Sequence, residues 1–176
     1  MAAHKVGRIL TAHPAAAALL AGPPAAAPPA AAGAPLPLTG GLSPEGLKQK
    51  RGYDLWAKAV NEAGGIEVGG EKLPVQIVYV DYESNTPRAV QTAERLIAEE
   101  GVNFLFSPFG SGAAKAASSV SERYRIPTIA PTASSPQVYD QGYEYLFGTF
   151  TPNSTLTDPL TEIVAGADQG VETVAI

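Results

Sequence analysis

The chain alternates between segments of helical periodicity and short apolar runs, and this alternation indicates the fold class. Apolar residues at helical spacing predict a helix from about Pro44 to Ala63, which the glycine pair at 64–65 terminates. A glycine turn at 69–70 separates the short segment 66–68 from the run Leu73 to Asp81, whose β-branched residues are typical of a buried strand.

The rest of the chain continues this alternation. Thr86 is the predicted N-cap of a second helix, with Pro87 at its first position and Gly101 at its end. Further elements are predicted in this order: a strand at 102–106, a helix at 112–124, a strand at 128–130, turns at 134–142, a strand-like run at 145–147, a helix at 152–167 and a strand beginning at 171–176. Such an order predicts an α/β fold with an open, mostly parallel sheet and helices on both faces.

The first 34 residues differ in composition from the rest of the chain. Ala, Pro, Gly and Leu dominate them, and Lys5 and Arg8 precede an apolar stretch. This order is typical of an export signal, and prolines keep the apolar run shorter than a membrane-spanning helix. The alternative is a disordered tail rich in Ala and Pro. We therefore expect a leader at 1–34 and a folded domain that begins at residue 35.

Charge and residue types argue against several classes of function. A formal net charge of -5 leaves no basic surface for nucleic acid. The chain has no cysteine, and its two histidines, His4 and His13, lie in the leader-like segment. A cysteine nucleophile, a thiolate metal site and a Ser-His-Asp triad therefore lack their residues. We expect no catalytic residue, no metal and no cofactor.

Three small, polar loops follow predicted strands and are the candidates for ligand binding. Ligands of open α/β sheets bind beyond the carboxyl ends of the strands, where loops and helix N-termini converge. The three loops are Leu38 to Gly41, Phe109 to Gly112, and Thr132 to Ser135.

The loop that contains Ser111 is the most informative of the three. Gly110 and Gly112 let the backbone approach a ligand closely, and the following helix presents unpaired N–H groups and its positive dipole end. These features predict a carboxylate site in which Ser111 donates a hydrogen bond. The alternative is an ordinary N-cap between glycines. A phosphate loop is disfavoured because Lys115 is not adjacent to the last glycine.

Other polar and aromatic residues have simpler interpretations. The segment Thr132 to Ser135 is expected to offer hydroxyls and free carbonyls, the acceptors that an ammonium group needs, and the alternative is a capping turn. The run Asp81 to Glu83 is predicted to be a solvated strand end, because adjacent strand residues point to opposite faces and do not form an acid/base pair. Tyr53 and Trp56 are predicted to pack in the core.

Several short motifs occur in a distinctive order. They are LPLTG at 36–40, NEAGGI at 61–66, DYES at 81–84, PFGSG at 108–112 and IAPTASSP at 129–136. Together they resemble the leucine/isoleucine/valine-binding proteins of the type I periplasmic solute-binding family, and the resemblance extends from about Pro35 to Ile176.

This resemblance implies a two-lobed, extracytoplasmic clamp that closes on a free amino acid or a related small amide and delivers it to an ABC permease. The first lobe of such proteins holds the ligand's α-carboxylate and α-ammonium. Here that role falls to Phe109, Gly110, Ser111, Gly112, Thr132, Ala133 and Ser134. Glu45 stands at a pocket-wall position that is often aromatic in the family, which leaves the side-chain specificity open.

Two departures from the family pattern accompany the resemblance. The family has an apolar strand before LPLTG, whereas 31–35 is Ala-Ala-Gly-Ala-Pro, so the sheet is expected to lack a strand. The family also has a second lobe, so we expect a truncated chain with a ligand-binding lobe at 35–168 and the start of a crossover at 169–176. Apolar surface is expected at the missing interface.

Two alternative functions fit parts of this pattern. The first is a sensory or regulatory ligand-binding module of the same fold, which reports occupancy to a receptor or regulator. The second is an enzyme of flavodoxin-like or nucleotide-binding type, which would need a phosphate loop that the chain does not show.

Overall fold

A computed structural model describes residues 28–167 of the chain. Most of the leader predicted at 1–34 and the strand predicted at 171–176 lie outside these described residues. None of the helices between residues 28 and 167 combines the length and hydropathy that a membrane span requires.

The described chain forms an α/β fold. Its elements are β1 (Ala30–Leu36), α1 (Ser43–Glu62), β2 (Ile66–Val68), β3 (Glu71–Leu73), β4 (Val75–Asp81), α2 (Thr86–Ala98), β5 (Phe104–Phe106), α3 (Ser111–Tyr124), β6 (Thr128–Ala130), a 3-10 turn (Pro136–Val138), β7 (Leu146–Gly148) and α4 (Asp158–Gly166). Five strands form one parallel sheet in the order β4-β1-β5-β6-β7, and β2 and β3 form a separate antiparallel hairpin. The predicted fold class is confirmed.

Helices cover both faces of the sheet because its strands alternate their side chains. On one face Ala32, Ala34 and Leu36 of β1 pack with Tyr53 of α1 and Phe106 of β5. On the other face the buried residues come from α2, α3 and the segment around β5, and they are Ala93, Leu96, Ile97, Val102, Leu105, Ala117 and Val120.

Strand β1 corrects the expectation that the sheet lacks a strand. Its residues Ala30–Leu36 lie between β4 and β5, and the domain boundary predicted at residue 35 falls inside it. Small residues are required here, since a Cβ at Gly33 would lie 2.6 Å from Leu105 Cδ2. Pro35 lies beyond the two β1 residues that pair with β5, a position where a missing N–H is tolerated.

Several element ends also differ from their predicted positions. Asn85, one residue before the predicted cap, is the N-cap of α2, and its side chain accepts a hydrogen bond from Arg88 N at 3.1 Å. Strand β5 begins at Phe104 rather than 102, and α4 begins at Asp158 rather than 152. Element type was therefore predicted more reliably than element ends.

Candidate functional site

The loops that follow β5 and β6 meet at one edge of the sheet. The two strands are parallel neighbours, so their carboxyl ends lie side by side. Gly110 N donates to Thr132 Oγ1 at 3.3 Å. Ser134 N and Ser135 N donate to Ser111 Oγ at 3.2 and 3.1 Å. The structure thus brings together the two loops that the sequence pointed to.

The bonding of the Ser111 hydroxyl leaves one hydrogen-bonding capacity unused. A serine hydroxyl has two acceptor lone pairs and one donor hydrogen. Both lone pairs are occupied by the amides of Ser134 and Ser135, and no acceptor for the hydrogen is found among residues 28–167. This half-buried hydroxyl can therefore donate to an acceptor that comes from outside the chain.

The N-terminus of α3 adds further donors beside Ser111. Gly110 is the N-cap, with φ of 80°, and no side chain caps the helix. The first-turn N–H groups of a helix lack intrahelical partners, and the helix dipole places positive potential there. The Ser111 side chain does not cap α3, so the alternative interpretation as an ordinary N-cap does not describe this loop.

The carbonyls of the second loop are more engaged than predicted. Tyr139 OH donates to the carbonyl of Ala133 at 2.7 Å, and Asn153 N donates to the carbonyl of Ser134 at 2.8 Å. Each carbonyl keeps a second lone pair, and the Thr132 hydroxyl keeps its donor hydrogen and one lone pair. The loop therefore retains acceptors, although the expectation of free carbonyls is wrong for Ala133 and Ser134.

Helix α1 forms a wall beside the two loops. A cleft of about 350 Å³ lies between them, with Glu45 and Gln49 on one side and Phe109 and Thr132 on the other. Glu45 pairs with Lys48 at 2.7 Å, and both side chains are well exposed. The structure thus places Glu45 in the same cleft as Phe109 and Thr132.

Asp81 is a structural anchor, a role that the sequence did not predict, although the strand end remains partly solvated, with Asp81 half-buried and Glu83 exposed. Its carboxylate accepts hydrogen bonds from Leu38 N at 2.9 Å, Thr39 Oγ1 at 2.6 Å and Glu83 N at 2.8 Å. Desolvation by burial raises the pKa of Asp81, but the hydrogen bonds from Thr39, Glu83 and Leu38 outweigh it and hold the pKa below its usual value. Asp81 therefore fixes the loop that begins at Leu38.

Ser84 fastens the same loop from a second point. Its hydroxyl donates to the carbonyl of Thr39 at 2.7 Å and accepts from Leu42 N at 3.0 Å. Gly40 is held close to it, since a Cβ there would lie 2.8 Å from Ser84 Oγ. An Asp at a strand end, bonded to the amide two residues on, is an Asx-turn signal that the sequence reasoning missed.

Aromatic residues contact the loop after β5 and the strand that leads into it. Tyr82 is buried, and its hydroxyl donates to the carbonyl of Phe109 at 3.3 Å, which links the end of β4 to the loop after β5. Tyr53 stacks on Phe106 with centroids 4.0 Å apart, and Trp56 contacts the same ring edge-on at 5.7 Å. The prediction that Tyr53 packs in the core is confirmed, whereas Trp56 contacts Phe106 but stays 36% exposed, so the core position predicted for Trp56 is wrong.

The two loops after β5 and β6, residues 107–111 and 131–135, carry no titratable side chain. Between residues 28 and 167, no group of three His, Asp or Glu side chains is placed to hold a metal ion. These two loops therefore present hydroxyls, backbone amides and a helix dipole to a ligand.

Comparisons with known proteins agree with this fold. Residues 29–176 match a family described as periplasmic binding protein. The Leu/Ile/Val-binding protein homolog 8 of Brucella abortus is 34% identical over 140 residues, which are 79% of this chain and 34% of that protein. The chain thus spans about a third of the length of the curated relatives it matches.

Solved structures of similar fold include proteins with different ligands. A putative branched-chain amino acid ABC transporter protein from Rhodospirillum rubrum has a TM-score of 0.70 and 26% identity, covering 80% of this chain and 39% of its own. A branched-chain amino acid transporter substrate binding protein from Streptococcus pneumoniae, in complex with isoleucine, has a TM-score of 0.65 and 25% identity, covering 76% and 39%. A solute binding protein from R. palustris, in complex with benzoate, has a TM-score of 0.64 and 28% identity, covering 79% and 37%.

The family match runs from the first strand of the sheet to the last residue of the sequence. The parallel sheet and the relatives named above agree with this family match. This chain therefore belongs to the periplasmic binding protein family and is related to its leucine/isoleucine/valine-binding members.

Proposed function

We propose that this chain is the first lobe of a solute-binding component of an ABC importer. It holds an amino acid of branched-chain type, or a related small amide, by the α-carboxylate and α-ammonium, and it performs no catalysis. The observation that carries this proposal is the Ser111 hydroxyl, whose two acceptor positions are filled while its donor is unused.

The carboxylate is assigned to the N-terminus of α3. An anion there accepts from the Ser111 hydroxyl and from uncapped N–H groups of the first turn, which begins at Gly110. The neighbouring loop holds Ser111 in place through the amides of Ser134 and Ser135. The site is therefore ordered before the ligand arrives, which lowers the cost of binding.

The ammonium is assigned to the loop after β6. The Thr132 hydroxyl already accepts from Gly110 N and has one lone pair left for an ammonium hydrogen. The carbonyls of Ala133 and Ser134 each have one lone pair left as well. These acceptors adjoin the carboxylate site, which matches the short spacing of charges in an α-amino acid.

Related proteins support a carboxylate-bearing ligand. One neighbour was solved in complex with isoleucine and another with benzoate, and both molecules carry a carboxylate. Their remaining groups differ in shape and charge. A shared anchor for the carboxylate is therefore the simplest common feature, and the cleft wall at Glu45 is left to select the rest of the ligand.

The proposal also concerns the partners of this protein and its location in the cell. The lobe works in an intact two-lobed protein outside the cytoplasm, which closes on its ligand and delivers it to a membrane permease. A leader at the N-terminus would direct the export.

Nitrogen-15 NMR of the 176-residue chain tests the proposed site, because it detects millimolar binding by one open lobe. Addition of leucine or isoleucine is expected to shift the amide signals of Ser111, Gly112 and Thr132–Ser135. Ser111→Ala is expected to weaken these shifts, while Ser119→Ala, on the exposed side of the same helix, leaves them unchanged. Shifts absent from both loops, or equal in Ser111→Ala, would contradict the proposal.

A further inference from the structure

The side-chain amide of Gln49 is incompletely hydrogen-bonded. Its Nε2 donates to the hydroxyl of Tyr53, one turn further along α1. Its Oε1 is buried and has no hydrogen-bond partner, and it is the one side-chain atom in that state between residues 28 and 167. A buried acceptor without a donor is unfavourable, since it has lost its hydrogen bonds to water.

Reversing the amide does not remove this deficit. With the amide turned over, Oε1 accepts from the Tyr53 hydroxyl, and the NH₂ group occupies the position that has no partner. In either orientation one polar atom of the Gln49 side-chain amide lacks a hydrogen bond. The Tyr53 side chain is itself mostly buried, so water gives the pair little compensation.

The position of Gln49 connects this deficit to the proposed ligand site. Gln49 lies one turn after Glu45 on α1 and lines the cleft whose opposite wall is Phe109 and Thr132. Its side chain as a whole is half-buried, and the buried Oε1 reaches a ligand only when the terminal torsions of Gln49 turn the amide into the cleft. A polar group on the Thr132 side then meets this amide.

The remaining wall of the cleft restricts the kind of group that is recognised. Tyr53, Phe109 and Pro131 present mainly apolar surface. Glu45 and Lys48 neutralise each other at 2.7 Å and give the wall no net charge to attract an ion. The cleft thus suits a short, uncharged side chain that carries one hydrogen-bonding group.

We infer that Gln49, paired with Tyr53, is a specificity-determining residue that recognises a hydroxyl or amide on the side chain of the ligand. The chain then prefers polar amino acids to aliphatic ones of the same shape. This inference rests on the proposed function, and it selects, among branched amino acids and small amides, those with a polar side-chain group.

Two isosteric ligand pairs test the inference with the same NMR readout. Threonine and valine differ by a hydroxyl in place of a methyl, and asparagine and leucine differ by an amide in place of a branched alkyl. One hydrogen bond changes affinity roughly fivefold, so each polar member is expected to bind about that much more tightly. Gln49→Met is expected to remove this preference. Gln91→Met, on the exposed surface of α2 across the sheet, keeps it.

The outcomes separate the inference from the proposed function. Equal affinity within both pairs, or a preference that persists in Gln49→Met, overturns the role of Gln49 while binding at Ser111 stands. Absence of shifts at Ser111 with all four ligands overturns the proposed site and the inference with it. Should Gln49→Met fail to fold, the side-chain NH₂ signals of Gln49 in the unaltered chain decide: a shift with threonine and none with valine supports the inference, and equal shifts overturn it.

Discussion

The carboxyl edge of the sheet and α4, the last described helix, differ in how far residues 28–167 bond or cover their side chains. At the edge, Asp81, Ser84, Ser111 and Tyr82 link neighbouring loops by hydrogen bonds. Helix α4 has no buried residue, and its Leu160 and Ile163 are 59% and 68% exposed. The loops of the edge are therefore tied to one another by hydrogen bonds within this chain, whereas α4 shows apolar surface that residues 28–167 leave uncovered.

The aromatic residues that precede α4 repeat this contrast. Phe147 and Phe150 are about half exposed, although the buried core contains Phe106 at 6% exposure. Apolar surface of this kind marks a place for interaction or a liability to aggregate. The apolar surface expected at the interface with a further lobe is consistent with this distribution.

Matched leucine truncations are expected to give the largest difference between the two regions. Leu96→Ala removes a fully buried side chain between α2 and the sheet and should lower the free energy of unfolding by about 3 kcal/mol. Leu160→Ala, in α4, should change it by less than about 0.5 kcal/mol. Urea unfolding followed by circular dichroism measures both. Equal losses would show that α4 is packed as tightly as the core.

Removing the Asp81 charge is expected to have a smaller effect, confined to the edge. Asp81→Asn keeps Oδ1 for the amides of Leu38 and Glu83, but it loses the acceptor Oδ2 for Thr39 Oγ1 and the charge that strengthens these bonds, and it should cost about 1 to 2 kcal/mol. Asp158→Asn, at the exposed start of α4, is the matched control and should be nearly neutral. The same unfolding measurement applies, and a neutral Asp81→Asn would contradict the anchoring role.

The contribution of Asp81 should depend on pH in a defined direction. Its pKa is lower in the folded chain than its usual value of 3.8, so its charged form stabilises the fold. This stabilisation is fully present above that value and is lost as the pH falls through the lowered folded pKa. The difference in stability between the parent chain and Asp81→Asn should therefore shrink below about pH 4. A difference in stability that stays constant down to pH 2 would contradict the stabilising role of the Asp81 charge.

The sequence predicted elements best where local pattern decides them. Helix α1 was expected from Pro44 to Ala63 and runs from Ser43 to Glu62, because its apolar spacing and terminal glycines act locally. Strand β1 was missed because Ala and Gly have little preference for strands. Its place in the sheet depends on pairing with β4 and β5, which lie far along the sequence.

The candidate site was predictable to the level of loops but not of single bonds. Parallel topology alone indicates that the loops after β5 and β6 meet at one edge. Which groups are already used there depends on side-chain geometry. The filled lone pairs of Ser111, the engaged carbonyl of Ala133 and the unpaired oxygen of Gln49 have no signature in the sequence.

The most direct test of the carboxylate site compares leucine with leucinamide, which keeps the ammonium and side chain but lacks the carboxylate. Nitrogen-15 NMR of the 176-residue chain should show leucine shifting the amide signals of Ser111 and Gly112, and leucinamide at equal concentration leaving them in place. Equal shifts from the two ligands at these amides would show that the N-terminus of α3 does not hold a carboxylate.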